Sequence, residues 1–228
     1  MAQSRGMTVL QGAGVIAAAL ACTACSTRPV HYQALSSTAE LHANTSGGDR
    51  QVAFNSTLDT AALKSYASIT LEPVAIYRGR DHQFGKISEE SKAELARHAD
   101  QKFRSELGRR NLLAGAAGPQ VLRMRVTLTG AEESVPVLGT VTKLTPVGLA
   151  LSGVRAATDR EGSFNGAITY AVELFDSRSG KLVYAFVARQ YPNALDIPAS
   201  IRPLDAAKAG IDRGSSTTAT SLKSLLRG

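Results

Sequence analysis

Hydrophobic and polar positions alternate most regularly in three stretches of this chain, and each stretch predicts a β-strand. In VLRMRVTLTG, residues 121–130, Leu122, Met124, Val126 and Leu128 share one parity. Arg123, Arg125, Thr127 and Thr129 share the other, which is the period-two pattern of a strand with one apolar face. Two more such runs, GAITYAVELF and KLVYAFVARQY, are joined by DSRSG. Ile168, Tyr170, Val172 and Leu174 fall on one face of the first, and Leu182, Tyr184, Phe186 and Ala188 on one face of the second. Asp176 can bond the backbone two residues on, and Gly180 can adopt positive φ, so residues 166–191 are expected to form a β-hairpin with one core face. Ordered structure is expected to begin near Gln51 to Phe54, followed by a helical turn from Asp59 to Tyr66 that Asp59 can cap. In SITLEPVAIY, residues 68–77, the apolar parity switches at Pro73, which has no N–H to donate; a bend, bulge or edge position is expected there.

The helical period is clearest from Ser88 to Asn111. Leu95, Ala99, Phe103 and Leu107 recur every four residues, Ser88 can cap, Glu89 and Glu90 occupy the first turn, and Arg109 and Arg110 the last. Leu204 to Leu226 reads as a terminal helix, with Ala206, Ala209, Ile211, Leu222, Leu225 and Leu226 available to pack on a sheet. Its Gly210 to Ser216 interval is weak helix, at which it could break in two. Strands, a helix, more strands with a hairpin and a last helix describe an α+β fold: a mainly antiparallel sheet with helices packed on one face, a two-layer sandwich formed by one domain over residues 49–228.

The first 25 residues change the picture, because they have the three parts of an export signal. Arg5 gives a short positive region, Thr8 to Ala21 an apolar one interrupted by Gln11, Gly12 and Gly14, and small residues surround a cysteine. That apolar run is too short to span a bilayer, which needs about 20 apolar residues. Its end, LACTACS, resembles the lipobox of bacterial lipoproteins, in which a cysteine carrying acyl chains such as palmitate becomes the mature N-terminus. Cys25, followed by Ser26 and Thr27, is the favoured lipidation site and Cys22 the alternative. In such lipoproteins an Asp after the cysteine holds the protein at the inner membrane; here that residue is Ser26 or Thr23, which implies the outer membrane. Residues 26–48, rich in Ser, Thr, Ala and Asn and ending in SGG, are expected to be a flexible tether. Such a tether would span roughly 25 Å.

Both of the chain's two cysteines lie in that first segment, so its body has no thiol for a disulfide, a nucleophile or a cysteine metal site. The net charge of +7 comes from basic residues scattered among acids rather than gathered with aromatics, which argues against a nucleic-acid partner. No G-x-S-x-G or H-E-x-x-H is present, and within the folded body only His82 and His98 could serve as bases. AGAAGP, residues 114–119, lacks the Lys-Ser/Thr ending of a phosphate loop, and the helix carboxylates are interleaved with cations. No catalytic residue, cofactor or metal site is therefore assigned; lone His31 and His42 are read as solvated. Arg123 and Arg125, side by side on a strand, are a candidate contact for a small anion. Val135 to Val154 is unusually apolar for a connection between strands, and its Leu144, Leu149 and Leu151 are candidates either for the core or for an interaction surface.

LRMRVTLTGAEESVPVLGTVTKLTPVGLAL followed by GAITYAVELFDSRSGKLVYAFVARQ resembles the core of bacterial lipoproteins grouped as domain-of-unknown-function family 3313. The resemblance rests on Pro73-Val74 ending an edge strand, a charged helix, an L-R-x-R strand, the S-x-P-V turn, the T-P-x-G loop and the hairpin Glu173 to Gly180. It covers roughly residues 66–191 and implies a location and an architecture, with no catalytic residue to carry over. Residues and resemblance together lead to the expectation of a lipid-anchored, non-enzymatic protein of the outer membrane, facing the periplasm. Its partners would be the membrane, through the anchor, and an envelope protein or the cell wall. A periplasmic hydrolase and a binder of a small anionic ligand are the rival expectations.

Overall fold

The computed structural model describes residues 28–45, 51–57, 59–133, 166–192 and 202–227. Its centre is three long antiparallel strands: β5 (Val121–Glu132), β6 (Ala167–Asp176) and β7 (Leu182–Gln190). β5 pairs with β6 from Leu122↔Asp176 to Glu132↔Ala167, and β6 with β7 from Phe175↔Leu182 to Ile168↔Gln190. Beyond β7 lie β2 (Val52–Asn55) and the two-residue edge strand β1 (His42–Ala43), both antiparallel. At the other edge β3 (Ser68–Leu71) and β4 (Ala75–Ile76) run parallel to β5. They are one strand interrupted at Glu72–Val74, where Pro73 removes a donor, so the edge bends as the parity switch predicts.

The hairpin turn forms as expected. Asp176 Oδ1 accepts from the backbone N–H of Ser179 at 2.6 Å and of Arg178 at 3.2 Å, and Gly180 has φ +72°. One expectation for this hairpin is corrected: Leu182 does not share the core face of Tyr184 and Phe186. The register shifts so that Tyr184 opposes Leu174 but Leu182 opposes Phe175, a bulge that sends Leu182 to the opposite face.

The short helix α1 (Thr60–Lys64) is capped by Asp59, whose side chain accepts from Ala62 N–H. The helix α2 (Glu89–Arg109) starts at Ser88, whose Oγ accepts from Ser91 N–H, and buries the predicted stripe of Leu95, Ala99, Phe103 and Leu107. The terminal helix α3 (Asp205–Arg227) is continuous and does not break at the weak interval Gly210 to Ser216. The reason is close approach: a Cβ on Gly210 would stand 2.9 Å from the Gln190 carbonyl oxygen, and one on Gly214 would strike the Tyr170 hydroxyl. Residues that weaken an isolated helix here let it lie directly on β6 and β7, and the packing outweighs a propensity cost of about 1 kcal/mol per glycine. Contacts between the two long helices advance in step, from Glu94–Lys208 through His98–Asp212 at 2.8 Å to Arg110–Thr220 at 2.8 Å, so they run in the same direction. Together they cover the face that carries Leu122, Met124, Val126, Leu128, Ile168, Tyr170, Val172 and Leu174.

The opposite face is where the flexible-tether expectation for residues 26–48 fails over the described residues 28–45. Tyr32, Leu35 and Leu41 are buried against Ala171, Ala185 and Val187, with Tyr77 beside them. Ser37 N–H donates to the buried Glu173 carboxylate at 2.7 Å, a 3-10 turn forms at Thr38–Glu40, and β1 then joins the sheet. This strap makes the folded domain begin by residue 28 rather than 49. Its Ser- and Thr-rich composition hid three apolar anchors at irregular spacing.

Candidate functional site

The sheet has two poles. At one lies the Asp176–Gly180 turn; at the other the ends of β5, β6 and β7 meet, at Glu132↔Ala167 and Ile168↔Gln190. The connection from Tyr77 to Ser88 folds over this second pole. Gln83 N–H donates to the Thr129 carbonyl at 2.8 Å, and the Gln83 carbonyl accepts from Ala131 N–H at 3.2 Å. Gly130 makes that possible, because a Cβ there would come within 2.8 Å of the Gln83 carbonyl oxygen.

The start of the strap is fastened to the same loop. The Gln83 side-chain amide donates to the Arg28 carbonyl at 2.9 Å and accepts from the Tyr32 hydroxyl at 2.6 Å. Asp81 accepts from Gln33 N–H through one oxygen and from the Tyr77 hydroxyl through the other, each at 2.8 Å, and Tyr77 in turn accepts from Ala34 N–H. Slight burial pushes the Asp81 carboxyl up, but these two donors outweigh it and hold the group below its ordinary value. Burial pushes the Tyr32 phenol up to about 12, so it stays a donor at every physiological pH. Around this network Arg28, Arg78, Arg80, His82 and Lys86 are exposed.

Of the residues singled out from sequence, Cys22, Cys25, Leu144, Leu149 and Leu151 lie outside the described residues. Glu133 and Gly166, the described residues flanking the stretch that holds the three leucines, both lie at the strap-bearing pole. Arg123 and Arg125 are brought together as expected, yet the chain supplies their anion. Both donate to Glu72, Arg125 through Nε at 2.8 Å, and both guanidinium groups lie over the Phe175 ring, at 4.6 and 5.3 Å. Burial opposes ionisation of Glu72, but the bonds from Arg125 and Arg123 prevail and hold its carboxyl below the usual range. A small anion would have to displace this carboxylate.

The two histidines of residues 49–228 have structural partners. His98 meets Asp212, which also accepts from Lys102 at 2.9 Å, and His82 lies beside Phe84 with ring centres 5.8 Å apart. Four of the five α2 carboxylates are paired with cations, Glu89 with Arg78 and Lys92, Glu94 with Lys208, Asp100 with Arg104, and Glu106 with Arg109 and Arg110. Among the described residues no group of three or more His, Cys, Asp or Glu is placed to hold a metal ion, and no helix is long and apolar enough to cross a membrane.

Sequence reasoning missed a hollow on the helix side of the sheet, where β7 and β2 extend past α3. It has a volume of about 250 Å³ and is walled by Val52, Tyr184, Phe186, Leu222 and Leu225, with Thr218 at its edge. The half-buried aromatics of β7 were the signal, since a helix covers less width than a sheet of this many strands.

Residues 32–218 match the family described as protein of unknown function, DUF3313. The chain belongs to that family. The DUF3313 match begins at Tyr32, the first buried residue of the strap, so the strap is part of the family's common region. No curated protein matches the chain. Among solved structures it is similar to the PelC dodecamer from Paraburkholderia phytofirmans, at 8% identity over 76% of this chain and 96% of that one, with a TM-score of 0.35. It is also similar to a predicted lipoprotein from Caulobacter crescentus CB15, at 14% identity over 73% and 95% with a TM-score of 0.32. A homologue of a neuraminyllactose-binding hemagglutinin from Helicobacter pylori matches at 11% identity over 81% and 90%, with a TM-score of 0.30. Likenesses this distant carry no argument about what the DUF3313 protein does.

Proposed function

We propose that this DUF3313 protein is a lipid-anchored envelope protein, held at the outer membrane through acylated Cys25, or Cys22, and facing the periplasm. It acts through non-enzymatic contacts with an envelope protein or the cell wall. The observation that supports this reading is the junction between LACTACS and the strap: Arg28, whose carbonyl is bonded to Gln83, lies three positions after Cys25, so an anchor there would hold the domain close to the membrane. Leu144, Leu149 and Leu151 are the proposed contact residues, because both described flanks of their segment lie at the pole nearest the anchor.

Palmitate labelling and membrane fractionation of the Cys22→Ser and Cys25→Ser variants, singly and together, test the anchor. Changing both is expected to abolish labelling and release the protein from the outer membrane, or leave it unprocessed at the inner one. A double variant that is still acylated and fractionates normally contradicts the proposal.

A further inference from the structure

We infer that the loop from Arg78 to Lys86, together with Arg28, is a seat for anionic phospholipid headgroups, so that anchor and loop fix the orientation of the domain on the membrane. The inference rests on the acylation reading above. Consecutive Cα atoms are 3.8 Å apart, so the three links from Cys25 to Arg28 reach at most about 11 Å, and the six links from Cys22 about 23 Å. The Arg28 carbonyl is itself bonded to Gln83, in the middle of the loop. An acyl group on either cysteine therefore brings this pole, and not the Asp176–Gly180 turn, to the lipid surface. The turn lies at the other end of β5, eight residues away from Leu122 to Gly130, or roughly 26 Å at strand rise.

The chemistry of the pole suits that surface. Asp81, the acid of the loop, has both oxygens engaged inward by Gln33 and Tyr77. The side chains of Arg28, Arg80 and Lys86 are exposed and make no hydrogen bond or ion pair among the described residues, and that of Arg78 shares only the exposed Glu89. The loop thus turns its anion towards the strap and its cations outward. The counter-charge nearby is the exposed Glu133, which shares a shallow hollow with His82 and Lys86, while Glu132 is taken by Arg189. A Lys or Arg close to an anionic leaflet strengthens binding roughly fivefold, so the three unpaired cations together are worth on the order of a hundredfold. Screening over about 8 Å at physiological salt confines the effect to groups held as near as these.

The test uses the acylated full chain in vesicles of phosphatidylcholine, with or without phosphatidylglycerol, and an environment-sensitive fluorophore placed by His82→Cys or, in a second preparation, by Ser179→Cys. Position 82 is expected to report headgroup contact, more strongly with phosphatidylglycerol, and position 179 to report water. Replacing Arg28, Arg80 and Lys86 together by Gln should leave acylation and melting temperature unchanged and the protein still held on the vesicle by its acyl chains, while abolishing the contact at position 82. An acylated, vesicle-bound protein whose position 82 reports water, or a triple variant that keeps its contact, overturns the inference alone. A chain that carries no acyl group in the same preparation overturns both the inference and the anchor on which it rests.

Discussion

One face of this sheet is covered by two helices over a continuous apolar core, and the other by a strap that hydrogen bonds hold as much as burial does. The helix face gathers Leu95, Phe103 and Leu107 from α2, and Ile211, Leu222 and Leu226 from α3, against the alternating apolar residues of β5 and β6. The strap face has a small apolar cluster of Tyr32, Leu35, Leu41, Tyr77, Ala171, Ala185 and Val187, ringed by bonds to Glu173, Gln83 and Asp81. The difference separates two jobs. Burial on the helix face sets whether the domain folds, whereas polar bonds on the strap face set where its N-terminal segment is held, at about 1–3 kcal/mol for each buried bond lost.

The comparison breaks most visibly at Phe103, which is fully buried and meets Tyr170 edge-on with ring centres 5.8 Å apart. Phe103→Ala is expected to cost about 3–5 kcal/mol and to lower the melting temperature of the whole domain. A small change in melting temperature would mean that the helix layer is not the main source of stability.

Glu173→Ala acts on the other face. It leaves Ser37 N–H without its acceptor in a buried place, an effect of about 1–3 kcal/mol. The expected signature is local: protease cleavage between residues 28 and 41 accelerates more than the fall in melting temperature explains. Cleavage that rises only in proportion to global unfolding would erase the distinction between the faces.

The same contrast explains what could be read from sequence. Period-two and period-four patterns exist because one side of a strand or helix is buried, so β5, the β6–β7 hairpin and α2 were legible, as was the break at Pro73. The strap has no period. Its anchors fall at Tyr32, Leu35 and Leu41, and its partners Glu173, Gln83 and Asp81 carry no local pattern that marks them before the fold brings them across 136, 51 and 48 positions of chain. α3 was misjudged at Gly210 and Gly214 because propensity is local, while the reason for glycine there, contact with Gln190 and Tyr170, is not. Arg123 and Arg125 share one face as their parity implies, but Glu72, which neutralises them, lies on the irregular edge between β3 and β4.

The smallest expected effect is a pH dependence of the strap. Because the Asp81 carboxyl is held below its ordinary value in the fold, its contribution is complete above the ordinary value and is lost as pH falls through the folded one. The near-ultraviolet circular dichroism of the Tyr32–Tyr77 pair, packed at 5.2 Å between ring centres, is expected to weaken on acidification before the helix signal does. Asp81→Asn should remove that early step. An early step that persists in the variant would assign it to another group.

Over residues 28–45 the chain is part of the fold rather than a tether. Amide hydrogen exchange of the full chain, resolved by residue, tests this most directly. The N–H groups of Gln33, Ala34, Ser37 and Leu41, each bonded in the structure, are expected to exchange markedly more slowly than in an unfolded chain, with Ser37 the slowest. Exchange of all four at the rate of an unstructured peptide would contradict the account.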